Sequence, residues 1–412
     1  MKVPRLCCYA LLTLLVATIT APSQGQNLNF NLLHTFSGSP DGTLPNTLIR
    51  DPGGNLYGTT VSGGFADCPN APPPTGCGTV FKLANNGDYT VLYAFQGNQD
   101  GDNPVGGVSR DAAGNLFGTT AGIEGATATV FKVDKNGNET VLFGFTNFVD
   151  GAFPKTPPIL DKAGNLYGTT YYGGDVNCGF DGNGCGVVYE ITAAGQFKVL
   201  HTFTSIKDGI WPIGGLVIEA AGNLYGATAE GGDPNCNPAG PACGTIFEVA
   251  KNGKYTVLYR FTGQADGEYP GCVTADGAGG LYGVTGGGGD LGCGFSGCGT
   301  IFQISRSAGF KILYAFQPIF PNDQGSDCPV HDSNGNIYGT HGGSGAHGGG
   351  YLYKLDASGK YTDIFDFPPY PSNLGSAPTG VVLTPNGDFY GTLDLGGADG
   401  FGTVFELTPS AR

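Results

Sequence analysis

Apolar residues in this chain fall into short runs separated by Gly-, Asn- and Asp-rich turns, and the runs repeat in sets of four. One set reads PIGGLVIE (212–219), the turn AAGN, LYGAT (224–228), a variable loop, GTIFEV (244–249), the turn AKNGK, and YTVLYRF (255–261). Each run has the length and the β-branched and aromatic content of a strand, and both turns place Gly where a hairpin needs positive φ. Runs such as TVLYRF are apolar toward both faces. This predicts a sheet sandwiched between two others rather than a sheet with one wet face.

The set recurs seven times. The second run appears as GNLYGTT (54–60), GNLFGTT (114–120), GNLYGTT (164–170), GNLYGAT (222–228), GGLYGVT (279–285), GNIYGTH (335–341) and GDFYGTL (387–393), with its aromatic residues 50 to 60 positions apart. The third run keeps step as GTVFKL (78–83), ATVFKV, GVVYEI, GTIFEV, GTIFQI, GYLYKL and GTVFEL (402–407), and the fourth ends at Phe36, Phe95, Phe145, Phe203, Phe261, Phe316 and Phe367. Four strands per unit and seven units predict an all-β, seven-bladed β-propeller, with a linear solenoid as the alternative. The ends of the repeat favour the ring. A lone fourth-type strand, NFNLLHTF (29–36), precedes the first unit, and GTVFEL closes the last unit without one. Pairing 29–36 against 403–407 completes the last blade and leaves no unpaired edge.

Residues 1–25 stand apart. Lys2 and Arg5 precede an apolar run from Leu6 to Ile19, and small residues follow at Ala21, Ser23 and Gly25. That is the layout of a secretory signal peptide, which leaves 26–412 as a single propeller domain that is secreted or at the cell surface. No other stretch approaches the roughly 18 apolar residues of a membrane span, so none is expected in the mature chain. Gly supplies 75 of 412 residues against about 7% in ordinary proteins, in keeping with many tight turns. Without Lys2 and Arg5 the chain has 17 basic and 34 acidic residues, a formal charge of −17. That sign disfavours nucleic acid and anionic membranes as partners. A monomer is expected.

The combination of GNLYGTT, GTVFKL, YTVLYAF and DGxxP resembles the GloVer tandem repeat of secreted bacterial choice-of-anchor proteins, over residues 29–407. The resemblance implies a secreted or surface repeat protein with no assigned activity. Members often carry a C-terminal anchoring signal, and none is read before Arg412. The order of strands also resembles that of NHL-type propellers, in layout alone.

Four cysteine pairs fall in the variable loop between second and third strands: Cys68 with Cys77, Cys178 with Cys185, Cys236 with Cys243, and Cys293 with Cys298. In each, the second cysteine directly precedes the Gly that opens the third strand, which predicts loop-pinching disulfides in an exported protein. Zinc is the alternative, but no pair is spaced C-x-x-C. Cys272 and Cys328 each lie ten residues before the landmark tyrosine of their unit, Tyr282 and Tyr338, which predicts a bridge between neighbouring inner strands.

Candidate chemistry is sparse. His331, His341 and His347 fall within one unit but follow the repeat, and His34 and His201 occupy a fourth-strand position held elsewhere by Tyr or Phe. No GxSxG elbow is present. The repeated polar feature is F-x4-D-G-x2-P, which carries Asp41, Asp100, Asp150, Asp208 and Asp266, with departures at Asp323 and Asn373. An Asp-Gly pair before Pro reads as a turn whose carboxylate accepts backbone N–H bonds. With loop carbonyls the same carboxylates are the candidate calcium ligands; no other cofactor or metal is expected. Connections and disulfide loops emerge on one face, which also gathers Phe65, Phe153, Tyr171, Tyr172, Phe180, Trp211, Tyr269 and Phe295. Trp211 is the single tryptophan. Aromatic residues beside carboxylates suit an extracellular glycan or protein, so the expected ligand face comprises Trp211, Tyr269, Phe153 and the five aspartates. Packing against a neighbouring loop is the competing role for Trp211. Binding or scaffolding is the first function class, and a polysaccharide hydrolase or lyase is the alternative.

Overall fold

The computed structural model describes residues 28–410 apart from 66–67, 69–75, 123–126, 179–181, 237–242, 278, 290–296, 307, 318–327, 343–344 and 346. They form seven antiparallel sheets arranged as a β-propeller. In blade 4 the strands are Ile210–Ile218, Leu224–Glu230, Thr245–Val249 and Tyr255–Arg260, bonded in that order from the inside outward. Six blades have four strands. In blade 1 the first strand is broken into Thr43–Pro45 and Ile49–Arg50. Between those pieces Asn46 donates to Thr59 Oγ1 at 2.9 Å and to the Pro104 carbonyl of blade 2 at 3.0 Å. Other first strands slip register at the same point, between Val105 and Ser109 and between Ile213 and Val217. The cause is crowding at the axis: a Cβ on Gly106 or Gly214 would strike the backbone of the next blade.

Aromatic packing explains the repeated phrases. The glycine of each Y-G-T lies directly across the sheet from the aromatic residue of the third strand, pairing Gly58 with Phe81, Gly168 with Tyr189, Gly226 with Phe247 and Gly391 with Phe405. Each of those rings is 0% exposed. A Cβ on any of these glycines would sit within 3 Å of the ring, so the missing side chain is the space the ring fills. The phenylalanine that ends each fourth strand then meets the third-strand ring of the next blade edge-on. All seven seams have this pair, from Phe36–Phe81 through Phe367–Phe405, with centroids 5.0 to 5.7 Å apart and planes at 61 to 73°. Such edge-to-face pairs contribute about 0.5–1.5 kcal/mol each beyond the area they bury.

Farther out, five seams add a face-to-face stack at 3.7 to 4.2 Å: His34–Tyr89, Phe143–Phe197, His201–Tyr255, Tyr259–Phe310 and Tyr314–Tyr361. The sixth, Phe365–Phe30, is looser at 5.9 Å. The seam between blades 1 and 2 has Glu139 at the ring position facing Tyr93.

The ring closes through the N-terminal strand, Leu28–Thr35, which pairs antiparallel with Thr403–Pro409 as the outer strand of blade 7. Phe36 N donates to the Gly402 carbonyl at 3.0 Å, and Phe30 stacks on Phe405 and Phe365. A disulfide, Cys272–Cys328, joins blades 5 and 6 at the axis with a Cα separation of 5.6 Å. Deleting residues 28–35 removes Phe30, Leu32 and Leu33 and exposes the edge of 403–409, a loss of several times ~2 kcal/mol. The truncated protein is expected to aggregate or to melt far below the full chain in a calorimetric scan; equal melting temperatures would show that closure does not rest on this strand.

Candidate functional site

The D-G-x-x-P connection is a latch between blades. The residue before each proline adopts left-handed φ in six connections: Leu44 at 53°, Asn103 at 51°, Phe153 at 55°, Trp211 at 59°, Tyr269 at 54° and Ala377 at 58°. That geometry lets the N–H of Leu44, Asn103, Trp211, Tyr269 and Ala377 reach a carbonyl of the preceding blade, Phe401, Cys77, Cys185, Cys243 and Gly349 respectively, at 2.8 to 3.0 Å. The prolines that follow close the contact. Pro45, Pro104, Pro212, Pro270 and Pro378 fill the space that a Cβ on Gly402, Gly78, Gly186, Gly244 and Gly350 would need. An L-residue in this region costs about 1–2 kcal/mol, so each latch holds strain.

The aspartates of the connection stay local. Asp41 accepts from Ser37 N at 3.0 Å, Asp100 from Gln96 N at 2.9 Å and Asp266 from Thr262 N at 2.9 Å. Asp150 and Asp208 take side-chain bonds instead, from Asn147 at 2.8 Å and Thr204 at 3.1 Å. Each thus folds its own turn, and Tyr93 and Tyr259 add hydroxyl bonds to Asp100 and Asp266 at 2.9 Å. Burial opposes the charge of Asp41, but the bond and charge of His34 and the Ser37 N–H outweigh it and hold its carboxyl below the usual range. Ser37 Oγ and His34 Nε2 both bond to this one carboxylate at 3.2 Å, so the trio lacks the hydroxyl-to-imidazole bond of a nucleophile relay. These three, with Pro40, Phe65 and Tyr89, line a cavity of about 730 Å³ at the closing seam.

Aromatic residues converge between blades 3 and 4. Trp211 stacks on Tyr171 at 5.6 Å and 19°, meets Tyr172 edge-on at 6.1 Å, and donates from Nε1 to the Gly184 carbonyl at 3.3 Å. Phe153 lies edge-on to Tyr172 at 5.7 Å. Lys155 Nζ covers the Tyr171 ring at 3.7 Å, a cation–π contact. Phe153, Tyr171, Tyr172 and Trp211 therefore form one shelf, partly open to solvent. Tyr269 stands on the next latch, 36% exposed, and the charges of Glu230 and Glu268 act on its hydroxyl. Phe65, 53% exposed, belongs to the separate cavity. Phe180, Phe295 and Asp323 lie outside the described residues.

Sequence reading passed over the carboxylates around Tyr269. Burial pushes Glu230 up to about 7 and Glu268 up to about 6, and Glu230 Oε2 is buried without a hydrogen-bond partner among the described residues. On blade 7, burial pushes Asp394 up to about 6. Glu230 and Asp394 stand at positions where other units have small, aliphatic or aromatic residues, and a single carboxylate at a strand end has no sequence signature.

The disulfides Cys68–Cys77, Cys178–Cys185 and Cys236–Cys243 pinch the loops at this face, with Cα separations of 5.3 to 5.9 Å. Cys298 is also disulfide-bonded; its expected partner, Cys293, lies outside the described residues. Cys236 and Cys243 with Glu268 are within 4.8 Å of one another, but the two sulfurs are bonded to each other and are not thiolate ligands. The blade 6 histidines take separate surroundings. His341 is buried against Tyr351 and Phe316, His331 bonds to the Ala275 carbonyl at 2.9 Å, and His347 is exposed.

Comparison with solved structures places the fold among propellers. The extracellular domain of a protein described as a hybrid two-component system from B. thetaiotaomicron matches with a TM-score of 0.54 at 14% identity, over 93% of this chain and 41% of that one. The extracellular domain of a one-component system from the same organism gives 0.52 at 9% identity, over 91% and 40%. A protein described as a 6-phosphogluconolactonase from Bacteroides uniformis gives 0.51 at 13%, over 84% and 89%. This chain thus spans about 40% of the length of the two sensor chains. Among curated proteins, none matches the chain in sequence. The Gloeobacter/Verrucomicrobia repeat matches residues 18–180, 180–326 and 292–412, and with the seven-bladed ring that this repeat builds here, the chain belongs to that repeat family.

Proposed function

We propose that this chain is an extracellular binding propeller that holds a carbohydrate on its loop face, across the shelf of Phe153, Tyr171, Tyr172 and Trp211. The shelf is the observation that carries the reading. Sugar rings present C–H faces that stack on aromatic planes, and the hydroxyls around them pair with carboxyl groups such as that of Glu230, whose strand position faces Ile210, next to Trp211. Loop disulfides and the likeness in fold to extracellular sensor domains support a location outside the cell, as does the leader expected from the sequence of residues 1–25. Trp211 is the single tryptophan, so its emission reports directly on the shelf. Titration with soluble xylan, β-glucan and polygalacturonate is expected to shift that emission for at least one polymer. Phe153→Ala should weaken that binding roughly tenfold, and Lys135→Ala, in a turn on the opposite face, should leave it intact. Loss of binding in Lys135→Ala alone would put the site on the wrong face.

Polysaccharide cleavage is the second reading, favoured by Glu230, whose buried Oε2 has no hydrogen-bond partner among the described residues and whose carboxyl holds its proton to about 7 as a general acid must. The same proton makes a prediction that needs no substrate. The native carboxyl has a pKa above its unfolded value, so its contribution to stability is complete below about 4.5 and is lost as the pH rises to about 7. Glu139, likewise pushed up to about 7 by burial and by Asp100, acts in the same direction. The melting temperature should therefore fall between pH 4.5 and 7, and Glu230→Gln should remove part of that fall. An identical pH profile in the variant would contradict the assignment.

A further inference from the structure

Among the described residues, every left-handed backbone position is a glycine except the six that precede the latch prolines. Glycine would relieve the strain at those six as well. At Leu44, Asn103, Trp211, Tyr269 and Ala377 it would also leave the latch intact, because the inter-blade contact uses the backbone N–H and the following proline ring. The latch bond itself therefore does not require the side chain, although Trp211 and Phe153 also make ring contacts with Tyr171 and Tyr172, and the chemistry differs from blade to blade: Leu44, Asn103, Phe153, Trp211, Tyr269 and Ala377. Neighbouring parts of the same motif, the Asp-Gly before and the Pro after, hold their identity in five units.

We infer that these six positions are a specificity rim: a strained but uniform backbone that presents interchangeable side chains to the ligand. The inference rests on the loop-face reading above and names the residues that choose the ligand. The rim is lopsided. Phe153, Trp211 and Tyr269 put three aromatic side chains on consecutive blades 3, 4 and 5, while Ala377, Leu44 and Asn103 on blades 7, 1 and 2 offer a methyl, an alkyl group and an amide. Consecutive latches repeat one backbone geometry, so the three aromatics recur along an arc. An arc of this kind suits successive sugar units of a chain, each stacking on one ring, and amide and carboxyl groups beside it suit their hydroxyls.

Glycine substitution separates presentation from packing. Tyr269→Gly should melt at or above the wild-type temperature, by about 1–2 °C, whereas Phe153→Gly and Trp211→Gly, which also lose ring contacts within the shelf, should melt lower. Binding to the polymer that the wild type recognises among xylan, β-glucan and polygalacturonate, read by isothermal calorimetry, should weaken by at least roughly tenfold in each single variant. Ala377→Gly, the internal control, should gain stability with unchanged affinity. A Tyr269→Gly or Ala377→Gly variant that melts several degrees lower would show that even these side chains are held by packing and would overturn the rim. Stable variants that bind as the wild type does would overturn it while leaving loop-face binding in place. A wild-type protein that binds none of the three polymers would overturn the carbohydrate reading and the rim with it.

Discussion

Everything in this molecule depends on one packing unit: a third-strand aromatic ring lying over a glycine of its own blade and meeting, edge-on, the phenylalanine that ends the previous blade. The ring can lie flat on the sheet only because Gly58, Gly226 and their equivalents have no Cβ. Once flat, it presents an edge-to-face contact at a distance that fixes the spacing of adjacent blades. Repeated at seven seams, the unit sets a uniform angle between sheets, and a uniform angle is what brings residue 28 back to residue 409. The N-terminal strand is thus part of the same unit, since Phe36 takes the place against Phe81 that Phe95 takes against Phe131.

A core so regular leaves the connections as the place where blades can differ. The latches tie five of the first strands to the preceding blade through backbone bonds and proline contacts, which do not involve the side chain before the proline. Disulfides at Cys77, Cys185 and Cys243 sit next to the carbonyls that the latches use, so loop and latch stiffen together. The shelf around Trp211 is built on that rigid base. Its rings are fixed by one another, by Lys155 and by the Gly184 carbonyl, and a ligand that stacks there has little side-chain freedom to quench.

The architecture was legible in the sequence because a repeat constrains the reading seven times over. Strand order, turn positions and the lone strand at 29–36 follow from phrases such as GNLYGTT and GTVFKL. The reason for the glycine in Y-G-T was not legible, since its partner Phe or Tyr lies some 20 residues on and across a sheet. Asp-Gly before Pro read as a turn, which accounts for Asp41, Asp100 and Asp266. The left-handed residue and its inter-blade bond are backbone properties that leave no residue-type signal. Glu230 and Asp394 were invisible for a different reason. Burial is the largest influence on their protonation, and burial of a strand-end carboxylate depends on its neighbours.

A double-mutant cycle at Gly226 and Phe247 tests the packing unit most directly. Gly226→Ala places a methyl against the tip of the Phe247 ring, and overpacking of this kind costs about 1–3 kcal/mol. Phe247→Leu removes the ring tip, so the same alanine in that background should cost little. The account predicts a coupling of at least ~1 kcal/mol between the two substitutions in chemical denaturation. Additive losses within about 0.5 kcal/mol would contradict the claim that the glycine is there to seat the ring.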